Sequence, residues 1–202
     1  MWYAEAVRWA AGSGVVYRAT ADGNVTVMSP EDGVAFGTVA KFDTTVPVEK
    51  PENISSIEVL KEKLAPYVEK NPNIFYMLKA TGTFGKMHIR SCYAYEKPYP
   101  TLSEAASHQK EFQYQNVSGS VIAVYCPPYV EGINLLGWHF HFLSQDKTTG
   151  GHILGLQADS LSLQLNPILD WELLPENPEF ASRDLCEDLS AKTAAVEGNA
   201  KH

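Results

Sequence analysis

The chain has 202 residues, of which 45% are hydrophobic and 20% are charged, as expected for a globular protein with a real core. Its formal net charge of −8 makes nucleic acid and anionic membranes poor partners, because both are negatively charged. No apolar run reaches the roughly twenty residues that span a bilayer, and the N-terminus lacks the apolar stretch of a secretion signal. Three widely spaced cysteines, Cys92, Cys126 and Cys186, predict reduced thiols. We therefore expect a cytoplasmic, unprocessed protein with no membrane or nucleic-acid partner.

The front of the chain predicts a β-hairpin and then a helix. Residues 14–28 contain two β-rich runs around Asp22-Gly23, which is a hairpin turn signal. The stretch SSIEVLKEKLAPYVEK has apolar residues at helical spacing and a capping-box pair, Ser55 and Glu58. We expect Pro66 to kink or end this helix.

The middle and rear of the chain predict mainly strands. Residues 71–82 and 85–95 resemble a strand pair joined by a turn at residues 81–85. Apolar β runs follow the short helix predicted at 101–112, and they occupy residues 120–126, 135–144, 150–157 and 160–165. Residues 182–198 are predicted as a helical tail. This pattern favours an α+β protein, divided into a mixed β-sheet domain with one main helix (1–117) and a β-rich, metal-binding domain with the helical tail (118–202).

Three of the six histidines fall in the stretch GWHFHFLSQDKTTGGHILG, as His139, His141 and His152. Side chains alternate along a strand, so His139 and His141 share a face. A hairpin symmetric about Asp146-Lys147 places His152 directly opposite His141, at a Cβ separation of roughly 5 Å. The alternative is three unrelated strand histidines, but the matching register favours one metal site.

Three neutral ligands leave a coordination position open, which is typical of catalytic zinc, whereas structural zinc sites close with four ligands. An open zinc ion can bind a carbonyl or hydroxyl oxygen and act as an electron sink. It can also activate a water molecule, so the spacing leaves a metal-dependent hydrolase open.

The histidine motif with its flanking glycines resembles the zinc motif of the α-acetolactate decarboxylase family. Further segments are similar: GTFGKMHIRS, EKPYPTLSEA, VSGSVIAVYCPPYVEGINLLGWH and the C-terminal DLSAKTAAVEG. The resemblance runs from about Val15 to Glu197. In GTFGKMHIRS, Arg90 occupies the place of the family's active-site arginine, and Glu197 fits the glutamate that the tail helix delivers to the zinc.

The resemblance implies zinc-dependent decarboxylation of 2-acetolactate, a 2-hydroxy-3-keto acid, to acetoin and CO₂, with the metal as electron sink for the enediolate. It implies a mixed β-sheet domain packed against a small open β-barrel that holds Zn²⁺, usually in a homodimer. A second family glutamate normally lies in an Asp-Gly-Glu before the first apolar strand. The only upstream acidic residue here is Glu5, without the Asp-Gly. A degenerate family member that keeps the metal site without decarboxylase activity is therefore the alternative.

Overall fold

The computed structural model describes residues 6–8, 15–32, 38–96, 100, 102–173 and 181–182. The elements within these ranges are mostly strands: β1 (Ala6–Arg8), β2 (Val16–Ala19), β3 (Val25–Val27), β4 (Glu52–Ile54), α1 (Ile57–Lys70), β5 (Phe75–Ser91), α2 (Leu102–Ser107), β6 (Lys110–Cys126), β7 (Gly137–Ser144), β8 (Gly150–Ser160) and β9 (Ser162–Ile168). A 3-10 turn, Pro128–Val130, lies between β6 and β7. This content agrees with the predicted α+β class.

The strands form two sheets, and every strand pair in the described part of the chain is antiparallel rather than mixed. The small sheet has the order β1-β2-β3, and its β2–β3 pairing confirms the hairpin predicted around Asp22-Gly23. The large sheet has the order β4-β8-β7-β6-β5-β9, with an additional β8–β5 pairing. The pairings of β5, β6, β7 and β8 therefore form a closed circuit.

Strand β5 corrects the prediction of two strands joined by a turn. It runs unbroken through residues 81–85 and pairs with β6 along nearly its whole length. A side chain at Gly82 would place its Cβ 2.8 Å from Leu161 Cδ2 and 3.2 Å from the Ser160 carbonyl oxygen. Gly82 therefore allows residues 160–161 to pack closely against β5, and it does not form a turn.

Helix α1 forms where it was predicted, with two corrections. Its N-cap is Ser56 rather than Ser55, and the Ser56 hydroxyl accepts a hydrogen bond from the Val59 N–H at 3.3 Å. The helix continues past Pro66, which is exposed, so water can reach the backbone carbonyl that loses its partner. The last turn is tied to neighbouring segments through Tyr67, whose hydroxyl donates to Glu49 and whose carbonyl accepts from the Tyr76 hydroxyl.

The main core lies between α1 and one face of the large sheet. The helix contributes Leu60 and Leu64, both fully buried, and the sheet contributes Phe84 and Phe142, whose rings meet edge to face at 5.5 Å. The opposite face of the sheet carries a smaller cluster in which Leu143 packs against the small sheet. The large sheet is thus covered on both faces, which fixes its registers.

The remaining predictions concern boundaries, thiols and helices. The proposed domain boundary after residue 117 falls inside β6, which runs from Lys110 to Cys126, and the division stays a prediction. Cys92 and Cys126 are buried, whereas Cys186 and residues 183–198 of the predicted tail helix lie outside the described residues. Neither α1 nor α2, the helices of the described part of the chain, has the length and apolar character needed to cross a membrane.

Candidate metal centre

The three histidines come from one hairpin with the predicted register. In the β7–β8 pairing His141 lies opposite His152, and Phe142 lies opposite Gly151. The turn is fixed by Asp146, which accepts hydrogen bonds from the Ser144 hydroxyl at 2.6 Å and from the Thr148 N–H at 3.1 Å. This Asx turn holds the two strands in register and so aligns the histidines.

The three rings converge on one point. Their centroids are 4.6 Å apart for His139 and His141, 4.7 Å for His139 and His152, and 5.5 Å for His141 and His152. Each ring offers one nitrogen within 4.8 Å of the other two, and the Nε2 atoms of His139 and His141 are 2.7 Å apart. His152 is buried, and the other two are half-buried.

Burial keeps two of these imidazoles neutral. Desolvation, followed by the nearby His139 and Arg90, holds the pKa of His141 well below its usual value of 6.5. The pKa of His152 is lowered well below 6.5 first by desolvation and then by His139, Arg90, His141 and Lys61. A neutral imidazole has a free lone pair, and a metal ion requires that form of the ligand.

The donor set fits a zinc ion. Two nitrogens bound at 2.0–2.1 Å in tetrahedral geometry are about 3.4 Å apart, and ring nitrogens that already lie within 4.8 Å of one another reach that spacing by small ring rotations. Three neutral nitrogens with no thiolate leave room for a carboxylate or substrate oxygen, which is the pattern of catalytic rather than structural zinc.

Arg90 lies beside the histidines on the same sheet face. It is paired with His152 across β5 and β8, and directly paired residues share a face. The register shifts by one residue on β8 between the partners of His88 and Ile89, one pair before Arg90 and His152, and such bulges commonly re-aim side chains at functional sites. Arg90 is only 2% exposed, so it is not the surface ion pair that an arginine on a strand usually forms.

A polar chain of three residues that the sequence did not indicate supports Arg90. Its Nη1 donates to Gln109 Oε1 at 2.7 Å, and Gln109 Nε2 donates to Glu111 Oε1 at 2.8 Å. Glu111 Oε2 then accepts from His88 Nε2 at 2.8 Å. Sequence reasoning missed Gln109 because residues 101–112 were predicted as one short helix, whereas α2 ends at Ser107 and β6 begins at Lys110.

The histidine face extends across the sheet to a polar cavity. His141 is opposite Ile122, and Ile122 is opposite Lys79, so the three side chains share a face. Beyond Lys79 lies a cavity of about 470 Å³ lined mainly by lysines, small hydroxyl residues and glycines; its lining residues are Lys79, Thr81, Gly82, Thr83, Ser118, Gly119, Ser120, Leu143, Ser144, Gln145 and Lys147.

The two predicted catalytic carboxylates, Glu5 and Glu197, lie outside the described residues. The structure therefore brings together the three histidines and Arg90, and their chemical roles stay predictions. His108 lies on the surface, and its Nδ1 lies 3.0 Å from the Glu104 carbonyl oxygen. His202 lies outside the described residues.

Comparison with known proteins gives the family of the chain. The sequence profile of alpha-acetolactate decarboxylase matches residues 10–187. An alpha-acetolactate decarboxylase from Brevibacillus brevis is 33% identical over 188 residues, which cover 92% of this chain and 65% of the relative. One from Methanosarcina mazei is 34% identical over 188 residues, covering 91% of this chain and 64% of the relative. The chain thus spans just under two thirds of the length of these relatives.

The fold is similar to that of a solved member. The crystal structure of alpha-acetolactate decarboxylase from Bacillus subtilis strain 168 superposes with a TM-score of 0.84 at 26% identity. The match covers 92% of this chain and 80% of that one. Sequence profile, pairwise identity and fold agree, and the chain belongs to the alpha-acetolactate decarboxylase family.

Proposed function

We propose that the protein is a zinc-dependent acetolactate decarboxylase that converts 2-acetolactate to acetoin and CO₂. The observation that carries the proposal is the placement of Arg90 next to the three converging histidines, since the reaction needs a carboxylate-binding group beside a metal. Family membership supports the substrate class.

The substrate is proposed to bind through its carboxylate to Arg90. A guanidinium stays charged at all relevant pH values and matches a carboxylate with two parallel N–H donors. The burial of Arg90 lowers the local dielectric and strengthens this contact. The carboxylate is thereby held at one end of the substrate, and the ketone and hydroxyl are directed toward the histidines.

The metal is proposed to be Zn²⁺ held by His139, His141 and His152. When bound, it would supply Lewis acidity next to the substrate ketone, so that the ketone can accept the electron pair left by CO₂. The histidines themselves hold the ion through neutral nitrogens, and the small Asx turn keeps them aligned.

A glutamate is proposed to manage the proton. Breaking the bond between the carboxylate carbon and the neighbouring carbinol carbon leaves an electron pair on that carbon, and one proton must be added there to give acetoin. Glu197 or Glu5 is assigned this general-acid role because a positioned carboxyl group can deliver a proton to a developing carbanion. The support is the resemblance of the tail segment to that of the family.

Several finer points belong to the same proposal. We propose a homodimer and a small open β-barrel around the metal on the basis of the family relationship, and the closed circuit of β5, β6, β7 and β8 supports the barrel. The division into residues 1–117 and 118–202 is kept as a proposal. A cytoplasmic location is kept as a proposal, because the three cysteines are odd in number and widely spaced in the sequence, which favours reduced thiols.

The test measures zinc and product on one purified sample. Elemental analysis gives the metal per chain, and racemic 2-acetolactate is supplied while acetoin and CO₂ are measured. We expect one zinc per chain and acetoin formation that a chelator abolishes and added zinc restores. Stoichiometric zinc without any acetoin would refute the activity and favour the degenerate family member.

A further inference from the structure

Arg90 is held by a neutral side chain. Among its contacts, Nη1 donates a 2.7 Å hydrogen bond to the amide oxygen of Gln109. Gln109 is half-buried and lies between α2 and β6, on a segment that precedes the strand next to β5. The amide oxygen thereby fixes one end of the guanidinium fork at a buried position.

The orientation of the Gln109 amide is determined by its other partner. Glu111 is a carboxylate, and it can only accept hydrogen bonds, so the Gln109 NH₂ group must face it. The Gln109 hydrogen bond, with help from His88 and Arg90, holds the pKa of Glu111 below its ordinary value and so keeps it ionised. With its NH₂ group facing Glu111, the amide can only present its oxygen to Arg90.

A neutral acceptor has a specific advantage at this position. A carboxylate bonded directly to Arg90 would cancel much of its charge and compete with a substrate carboxylate for the same N–H donors. The amide oxygen orients the guanidinium without adding a negative charge at this contact. Glu111, which carries the negative charge, bonds to the NH₂ group of Gln109, so the Gln109 side chain lies between Glu111 and this end of the guanidinium.

We propose that Gln109 is a positioning residue that sets the affinity of the site for the substrate carboxylate by orienting Arg90. The proposal rests on the proposed function for the identity of the substrate. It assigns Gln109 no contact with the reacting atoms, and its effect must therefore appear only with ligands that carry a carboxylate.

The test uses two ligands that differ in the carboxylate. One is 2-hydroxy-2-methylpropanoate, which has a carboxylate and a hydroxyl but no ketone and so cannot be decarboxylated by this route. The other is acetoin, which has the ketone and hydroxyl but no carboxylate. Both are titrated into the zinc-loaded protein, wild type and Gln109→Met, by calorimetry. The matched control is Gln115→Met, an exposed glutamine on β6 opposite Lys86.

Loss of one hydrogen bond to a charged group predicts about a tenfold weaker binding of 2-hydroxy-2-methylpropanoate to Gln109→Met. Acetoin should bind this variant as it binds wild type, and Gln115→Met should change neither ligand. In catalysis the KM for 2-acetolactate should rise about tenfold with a smaller change in kcat. Equal weakening of both ligands would indicate general damage to the pocket and overturn the proposal, as would unchanged binding of both.

Two further variants separate positioning from other roles. In an Arg90→Ala background, Gln109→Met should have no additional effect on carboxylate binding, because the residue acts through Arg90. Gln109→Glu should weaken carboxylate binding more than Gln109→Met, because it adds a competing charge. If wild type binds the carboxylate ligand but forms no acetoin, the decarboxylase assignment fails while the role of Gln109 is still tested by binding.

Discussion

Replacing Gly151 by alanine tests how tightly strand β8 must approach β5. Gly151 has a φ of +157° and directly precedes His152. A Cβ at this position would lie 2.5 Å from the Arg90 carbonyl oxygen and 3.2 Å from the Ser91 hydroxyl. The backbone oxygen cannot rotate away, so the two strands must separate.

The distances give the size of the effect. A relaxed contact needs about 3.5 Å, so the strands must separate by roughly 1 Å. Overpacking of this kind costs about 1–3 kcal/mol, and an alanine at an unfavourable positive φ adds about 1–3 kcal/mol. Alanine also lowers the conformational entropy of the unfolded chain, which stabilises the folded state by about 0.4–1 kcal/mol. We expect Gly151→Ala to lower the free energy of unfolding by about 2–5 kcal/mol and to weaken zinc binding, since His152 moves with β8.

Urea unfolding of the metal-free protein measures the stability, and elemental analysis after zinc loading measures the metal. The matched control is Gly155→Ala on the same strand, where a Cβ would lie 3.8 Å from His88 Cβ, an ordinary contact. That variant should be within about 1 kcal/mol of wild type and keep its zinc. If Gly151→Ala matched Gly155→Ala in both measurements, the close approach of β8 to β5 would not be a constraint, and the reasoning would be wrong.

Three more predictions concern the site. His141→Ala should purify without stoichiometric zinc, since it removes one of three ligands; retained metal would overturn the ligand assignment. Arg90→Ala should keep its zinc but lose about 100-fold or more in kcat/KM, because two charged hydrogen bonds to the carboxylate are lost; near-normal turnover would contradict the role of Arg90. The metal-free protein should lose about 1.4 kcal/mol of stability through His152 between pH 7.5 and 5.5, because the unfolded residue gains a proton near pH 6.5 while burial holds the folded pKa well below that value. His152→Gln should remove this part of the pH dependence in urea unfolding; an unchanged slope would refute it.

The hairpin that carries the histidines was predictable because two local rules decide its geometry. Side chains alternate along each strand, and a turn centred on Asp146-Lys147 then leaves a single pairing for His141. The apolar face of α1 was predictable for the same reason, since Ile57, Leu60 and Leu64 follow the helical period and are all buried. Both features depend only on residues close in sequence.

The errors arise where distant residues decide. Gly82 suggested a turn, but its lack of a side chain accommodates Leu161, which is far away in the chain. Pro66 suggested a kink or an end of the helix; the helix does not end there, and Tyr67 anchors its last turn through Glu49 and Tyr76. The support of Arg90 by Gln109 likewise requires the β5–β6 register, which local patterns do not contain.

Because β5, β6, β7 and β8 form a closed circuit, the number of residues in β5 is constrained. Lys79 on β5 pairs with Ile122 on β6, and Ile122 pairs with His141 on β7. His141 pairs with His152 on β8, and His152 pairs with Arg90, which is again on β5.

Lys79 and Arg90 share one face of the sheet although the number of steps between them along β5 is odd, because Gly85 has no partner in the β5–β6 register and interrupts the alternation of side chains. One further residue inserted or deleted between them would turn one of the two ends to the wrong face. Changes of length during evolution should therefore be excluded from β5 between Lys79 and Arg90, and also from the turn at residues 145–148, which sets the pairing of His141 with His152.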